Sequence, residues 1–167
     1  MKILAVDTAL NACSAALLDD ARVLAHRLEP MERGHAERLA PMVEEVMSEA
    51  RLDFATLDRL AVTAGPGTFT GQRVGLAFMR GLRAALHRPL IGVSTLAAMA
   101  AEAKAETGVP RAIALHDARR DEVYVEIEGL DPAAFHSRVL VWLSEPEGQG
   151  SPEEKDAFRP DLPVVRK

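Results

Sequence analysis

Aromatic residues are scarce in this sequence. They make up 4% of the chain, so a folded core must be built from Ala, Leu, Val, Ile and Met. The single cysteine, Cys13, excludes a disulfide within the chain and is typical of a reducing compartment. No apolar run approaches the roughly 20 residues that a membrane-spanning helix requires. These absences predict a cytoplasmic protein that does not contact a membrane.

The sequence also lacks an excess of positive charge. It has 20 Lys and Arg residues against 25 Asp and Glu residues, a net charge of −5. Proteins that bind nucleic acid on their own are usually basic. Any contact with RNA is therefore expected to be indirect, through a partner. The length of 167 residues and the 48% hydrophobic content fit an ordinary globular domain.

The hydrophobic pattern predicts an α/β fold. Three short strands come first and are joined by brief turns, which favours an antiparallel meander. Strands then alternate with helices, which favours a mixed sheet with helices on its faces. Pro41 lies in the first helix, which is expected to kink there or to start near it. The predicted strands are residues 2–7, 11–18, 22–28, 59–63, 90–93, 111–116 and 122–128; the predicted helices are 32–50, 70–86 and 96–107; and residues 117–121 are a predicted turn.

A glycine-rich segment, residues 65–75, separates a predicted strand from the second helix. Thr68 and Thr70 are both candidate N-caps of that helix. The segment lacks the Lys-Ser/Thr pair of a phosphate-binding P-loop. The sequence therefore gives only weak support for phosphate binding. Its glycines, with Gly81 further along, predict close approach by another element. Periodicity does not distinguish a partner subunit from the chain's own sheet.

Several separated motifs occur together in one order. They are Asp7-Thr8 with Ala12-Cys13-Ser14; Gly34-His35 with Leu39 and Pro41; Gly65-Pro66-Gly67-Thr68-Phe69-Thr70-Gly71 with Arg73 and Gly75; Gly92-Val93-Ser94-Thr95-Leu96; and Asp117-Ala118-Arg119-Arg120 with Glu122-Val123-Tyr124. On these residues the chain resembles the bacterial TsaB family, also called YeaZ, over about residues 1–127. It departs from the family pattern at Gln72, where Leu is usual, and at Asp121, where Gly is usual.

The resemblance implies an actin-like (ribonuclease H-like) lobe over residues 1–130. Residues 131–167 would be a short variable tail or a reduced second lobe, because the family's second lobe does not align with them. In this fold the acid that ends the first strand faces nucleotide phosphates. Asp7 and Thr8 are therefore candidate remnants of a nucleotide site. From the residues alone, Asp7 is better interpreted as the cap of the turn that follows it.

The resemblance also implies a non-catalytic role. Family members pair with a TsaD-like paralogue, are joined by a TsaE-like ATPase and form homodimers when alone. The assembly forms N6-threonylcarbamoyladenosine at position 37 of tRNA; it uses ATP, but this subunit needs no cofactor. The second helix belongs to the dimer interface, with the first helix beside it. The predicted interface residues are Gly67, Thr68, Phe69, Thr70, Gly71, Arg73, Val74, Gly75, Phe78 and Met79.

Two alternatives remain open. An ATPase or small-molecule kinase of the actin-like class would need a glycine-rich adenosine loop, which the residues after Leu130 do not offer. A metalloprotease would need a pair of ligands, but Leu39 stands four residues after His35. No metal site is therefore predicted. Cys13, in a run of small strand residues, is interpreted as a buried structural thiol.

Overall fold

The computed structural model describes residues 1–119 and 122–127. They belong to two compact units, one comprising Met1–Thr95 and another that begins at Leu96. The boundary expected between residues 130 and 131 lies outside the described residues, as does everything predicted for the tail.

The first unit contains a five-stranded mixed sheet. Its strands are β1 (Lys2–Asp7), β2 (Ala12–Asp19), β3 (Arg22–Pro30), β4 (Arg59–Gly65) and β5 (Leu90–Ser94). Their order in the sheet is β3-β2-β1-β4-β5. The first three strands pair antiparallel, while β4 runs parallel to β1 and β5 runs parallel to β4. The predicted mixed sheet with an antiparallel start is confirmed.

Two helices pack on this sheet and share its core. The first, α1 (His35–Glu49), contacts β2 and β3, and the second, α2 (Phe69–Leu86), contacts β4. A 3-10 turn at Phe54–Thr56, which the sequence did not indicate, precedes β4. The buried core combines branched aliphatic and methionine side chains from both layers. Its largest members are Leu4, Leu17, Leu39, Met42, Val43, Val46, Leu57, Leu60 and Met79.

Helix α1 continues through Pro41. It begins at His35, after Gly34 in the left-handed conformation (φ 91°), so the expectation of a start near Pro41 is wrong. A proline inside a helix removes one backbone hydrogen bond, and its ring crowds the carbonyl group four residues earlier. Pro41 is exposed, while the residues on either side of it in the apolar stripe, Leu39 and Met42, are fully buried. Their burial offsets the lost bond and keeps the helix intact.

The second unit contains helix α3 (Thr95–Thr107), which starts at the junction, and a hairpin of β6 (Ile113–Arg119) and β7 (Glu122–Ile127). Leu96, Ala100 and Ala103 recur at helical spacing and are buried together with Ala112 and Ala114, which lie just before and within β6. The predicted turn over residues 117–121 is wrong for residues 117–119. They continue β6, with a register shift between Asp117 and Arg119.

An ion-pair network ties α1 to β3. Arg38 on α1 donates from Nε to Glu29 Oε2 (2.7 Å) and from Nη1 to Glu45 Oε1 (2.7 Å). Arg27 on β3 pairs with Glu49 at the end of the helix. The hydrogen bonds from Arg38 hold the pKa values of Glu29 and Glu45 below their usual range. The network is partly exposed, so solvent screening keeps the stabilisation from each ion pair small.

The network gives a pH-dependent prediction. Replacing Arg38 with Gln should lower the free energy of unfolding at pH 7, where both glutamates are ionised. A carboxylate with a lowered pKa stabilises the fold above its unfolded-state pKa of about 4.3, and this stabilisation is lost as the pH falls through its folded-state pKa. The deficit of Arg38→Gln should therefore shrink below about pH 4 in urea unfolding. Arg33→Gln, at an exposed arginine before α1, is the control. An Arg38→Gln deficit that is equal at pH 7 and pH 3 would contradict the network's role.

Candidate functional site

The loop between β1 and β2, residues 8–11, lies against the start of α2; it is called the first loop below. The buried hydroxyl of Thr8 donates to the carbonyl oxygen of Gly71 at 2.7 Å. The backbone N–H of Thr68 donates to the carbonyl oxygen of Ala9 at 2.7 Å. Two backbone segments far apart in sequence are thus joined by direct polar contacts.

The other half of the first loop is held from the α1 side. Nε2 of His35 lies 3.2 Å from the carbonyl oxygen of Leu10. The backbone N–H of Met31 donates to the carbonyl oxygen of Asn11 at 3.1 Å. His35 is 8% exposed, so it serves as a buried contact at the start of α1.

Three glycines allow the first loop and α2 to come so close. A β-carbon added at Gly67 would overlap the carbonyl oxygen of Ala9, and one added at Gly71 would overlap that of Thr8. At Gly75 an added β-carbon would lie 2.6 Å from the hydroxyl of Thr8. The predicted close approach is therefore correct at these positions, and the approaching element belongs to this chain. At Gly81, apart from the adjacent residues and the backbone of α2 itself, no atom of the described residues lies within 4 Å of an added β-carbon.

These contacts correct the predicted orientation of α2. Gly71, Gly75 and Met79 were expected to face a partner, but all three are buried, and Met79 is 0% exposed. They recur every four residues and form the row that lies against the sheet and the first loop. Val74 and Phe78, beside that row, are half-buried. Gly67 likewise packs within the chain.

The polar groups between Asp7 and the start of α2 form hydrogen bonds with one another. Oδ1 of Asp7 accepts hydrogen bonds from the backbone N–H of Ala9 (2.8 Å) and the hydroxyl of Thr63 (2.5 Å). Thr68 is the N-cap of α2, and its hydroxyl accepts from the backbone N–H of Gly71 at 3.2 Å. Asp7 thus caps its own turn, as the residues indicated. The amides of Ala9, Thr68 and Gly71 are not available to a phosphate.

Cys13 is completely buried in β2. Burial raises the pKa of its thiol above the ordinary value, and the nearby charge of Arg38 offsets only part of that effect. A nucleophilic cysteine requires an accessible thiolate. Cys13 is therefore a structural residue. Within residues 1–119 and 122–127, no three His, Cys, Asp or Glu side chains are grouped in a way that could hold a metal ion.

The exposed sides of α1 and α2 form a groove of about 500 Å³. Phe69 is 69% exposed in it, and the guanidinium carbon of Arg73 lies 3.4 Å from the centre of the Phe69 ring. Most of the other lining side chains are apolar. The residues that line this helical groove are Ala36, Leu39, Phe69, Thr70, Arg73, Val74, Ala77 and Phe78.

Half of the predicted interface residues lie in the helical groove: Phe69, Thr70, Arg73, Val74 and Phe78. The first helix was expected beside the interface, but the predicted interface residues include none from α1 and omit Ala36, Leu39 and Ala77. Ala36 and Ala77 are exposed alanines that leave room between the two helices. A helical projection that places both helices on one face of the sheet would have revealed them.

Comparison with known proteins gives consistent matches. The sequence model of the family TsaD, tRNA N6-adenosine threonylcarbamoyltransferase, matches residues 23–131. The tRNA threonylcarbamoyladenosine biosynthesis protein TsaB of Escherichia coli K12 is 44% identical over 148 residues, which is 88% of this chain and 64% of that protein. The structure of YeaZ from Pseudomonas aeruginosa is 42% identical, with a TM-score of 0.73 over 78% of this chain and 61% of that one.

The chain belongs to the TsaD family, in its TsaB (YeaZ) branch. The lobe is accordingly actin-like, as the motifs implied. The chain spans less than two thirds of the length of these TsaB and YeaZ relatives. A second solved Pseudomonas aeruginosa structure is described as an uncharacterized protein with similarity to peptidase YEAZ.

In the described part of the chain, no helix is both long and apolar enough to cross a membrane.

Two glycines of the same helix provide a matched test of the loop contact. Gly71→Ala should lower the free energy of unfolding by about 1–3 kcal/mol, because its methyl group meets the backbone of the first loop. Gly81→Ala should instead raise it by up to about 1 kcal/mol, because alanine is the better helix former and open space surrounds the site. Urea unfolding of the two variants measures both. A Gly71→Ala variant as stable as the parent would refute the close contact.

Proposed function

We propose that this chain is a non-catalytic subunit that docks onto a TsaD-type transferase through the helical groove and supports N6-threonylcarbamoyladenosine formation at position 37 of tRNA. Relatives with 44% and 32% identity carry the name tRNA threonylcarbamoyladenosine biosynthesis protein TsaB. The matching family model is described as the transferase itself. A subunit related to its own catalytic partner would present equivalent helices, so the two chains would meet about a pseudo-twofold axis.

The helical groove is the observation that carries this proposal. An exposed phenylalanine surrounded by small apolar side chains is typical of an interface anchor, since aromatic residues contribute much of the binding energy at protein interfaces. Phe69 is the first residue of α2, directly after the N-cap Thr68, and its ring lies beside the guanidinium of Arg73. The small side chains of Ala36 and Ala77 leave space for an apolar side chain of a partner.

The non-catalytic part of the proposal is supported by how the chain uses its reactive groups. Asp7 is engaged by Ala9 and Thr63, and Cys13 is buried. In the same proposal a TsaE-like ATPase supplies ATP hydrolysis. The helical groove of one copy would pair with that of another when the transferase is absent. The protein would then act in the cytoplasm, where tRNA is modified.

The role in tRNA modification is tested by deleting the gene and measuring modified nucleosides of total tRNA by mass spectrometry. N6-threonylcarbamoyladenosine should fall sharply and should return when the gene is supplied on a plasmid. An unchanged level in the deletion strain would refute the proposed pathway.

The docking surface is tested by Phe69→Glu. A carboxylate in the first turn of α2 is compatible with the helix dipole, so the fold should persist. It would place a charge in the helical groove, and the affinity for the transferase should fall by a factor of about 10 or more, as expected for an anchor worth at least 1.4 kcal/mol. Co-elution and calorimetry with the purified transferase measure the change.

The matched control is Val23→Glu, which adds the same charge at an apolar residue that is 54% exposed on β3, outside the helical groove. Its affinity for the transferase should equal that of the parent. If Phe69→Glu binds as tightly as Val23→Glu, the helical groove is not the docking surface.

A further inference from the structure

Positive charge is concentrated in one part of this acidic protein. Between Asp58 and Glu102 the sequence contains no acidic residue, yet it contains Arg59, Arg73, Arg80, Arg83 and Arg88. The net charge of −5 therefore conceals a segment of opposite sign. This segment includes all of α2.

Three of these arginines meet at the end of α2. Together with His87 and the small residues Ala84 and Pro89, Arg80, Arg83 and Arg88 line a concavity of about 760 Å³. This is called the basic concavity below. Arg80, Arg83 and His87 are exposed, whereas Nη2 of Arg88 donates to the carbonyl oxygen of Ala55 at 2.9 Å. Arg88 therefore forms part of the wall, and the other basic groups are accessible to a ligand.

The helix dipole does not account for this much charge. It places about half a negative elementary charge at the C-terminus of a helix, which Arg83 in the last turn already balances. Neighbouring acids do not account for it either. Asp53 accepts from the backbone N–H of Ala55, and Asp58 accepts from that of Lys2. No ion pair to Arg80, Arg83 or Arg88 occurs within residues 1–119 and 122–127.

We propose that the basic concavity binds the phosphate backbone of RNA, and this inference rests on the proposed function, in which that RNA is the tRNA presented to the transferase. Guanidinium groups match phosphate geometry and bind it through charge-assisted hydrogen bonds. Such contacts depend on local charge, so a net-acidic chain makes them wherever its basic residues are clustered. This proposal differs from the expectation of indirect RNA contact, which stays a prediction.

The location favours a polyanion that is shared with the docked partner. The helical groove extends along α2 as far as Phe78, and the basic concavity begins at Arg80. At 1.5 Å per residue, the middle of the concavity near Ala84 lies roughly 9 Å along the helix from Phe78. A transferase seated in the helical groove would hold its tRNA next to these arginines.

The test uses the double variant Arg80→Gln/Arg83→Gln and leaves the wall residue Arg88 in place. Its control is Arg22→Gln/Arg33→Gln, which removes the same charge from exposed positions away from the concavity. Labelled tRNA with adenosine at position 37 is titrated with the chain alone and with the chain–transferase complex, at several salt concentrations. Co-elution with the transferase is measured in parallel.

Three results are expected of the Arg80/Arg83 variant. Co-elution with the transferase should match that of the parent. Relative to the control, the Kd for tRNA should rise roughly 2- to 30-fold, as the loss of two surface ion pairs implies. The salt slope of log K should become shallower by up to about 2, about one for each lost phosphate contact.

Equal Kd values and salt slopes in the two double variants would overturn the proposal. So would loss of co-elution in the Arg80/Arg83 variant with unchanged tRNA binding, because the concavity would then be a protein contact. If the parent chain does not bind the transferase at all, the proposed function fails. In that case the tRNA titrations of the chain alone still test the RNA proposal. The Arg80/Arg83 variant should again bind tRNA more weakly than the control variant.

Discussion

The close contact between the first loop and the start of α2 is the constraint on which the rest of the lobe depends. The hydroxyl of Thr8 and the carbonyl of Gly71 are 63 residues apart in sequence and are joined in a buried hydrogen bond. Leaving either group unpaired would cost about 1–3 kcal/mol. Gly67, Gly71 and Gly75 supply the space, and their replacement would push α2 away from the sheet. The position of α2 against β4, and hence its distance from α1, follows from this contact.

Two surfaces of α2 differ in their burial. The row that contains Gly71, Gly75 and Met79 is used within the chain. The opposite side carries Phe69 and Arg73, which are exposed. In the proposed function, this actin-like lobe is a docking subunit. The polar groups between Asp7 and the start of α2 are bonded to each other and are not available to a phosphate. In the further proposal, the arginines at the end of α2 would add a contact with RNA to that docking role.

The sequence predicted the strands and helices well because their periodicity is strong. It predicted the orientation of α2 poorly, because a hydrophobic pattern weighs bulky side chains and the buried row of this helix consists of two glycines and a methionine. Only the placement of the first loop explains why small residues are needed there. Asp7 was interpreted correctly as a turn cap because an acid at the end of a strand has a local partner in the next residues.

The walls of the helical groove and the basic concavity can be recognised only when the helices are placed on the sheet. Ala36 and Ala77 lie on different helices, and only their packing on one side of the sheet makes them walls of one groove. The overall charge predicted that contact with RNA is indirect, and this stays a prediction; a sum over all residues does not show the local group of arginines on which the RNA proposal rests. Arg80, Arg83 and Arg88 become a cluster only when a helix and the segment after it bring successive turns to one surface.

Hydrogen–deuterium exchange of the chain with and without a TsaD-type transferase tests the central claim most directly. Peptides from α1 and from the first half of α2 should exchange more slowly in the complex, because docking covers the helical groove. Peptides from β1 and the first loop should change little, because their polar groups are already bonded within the chain. Strong new protection in the first loop, with α1 and α2 unchanged, would contradict the account.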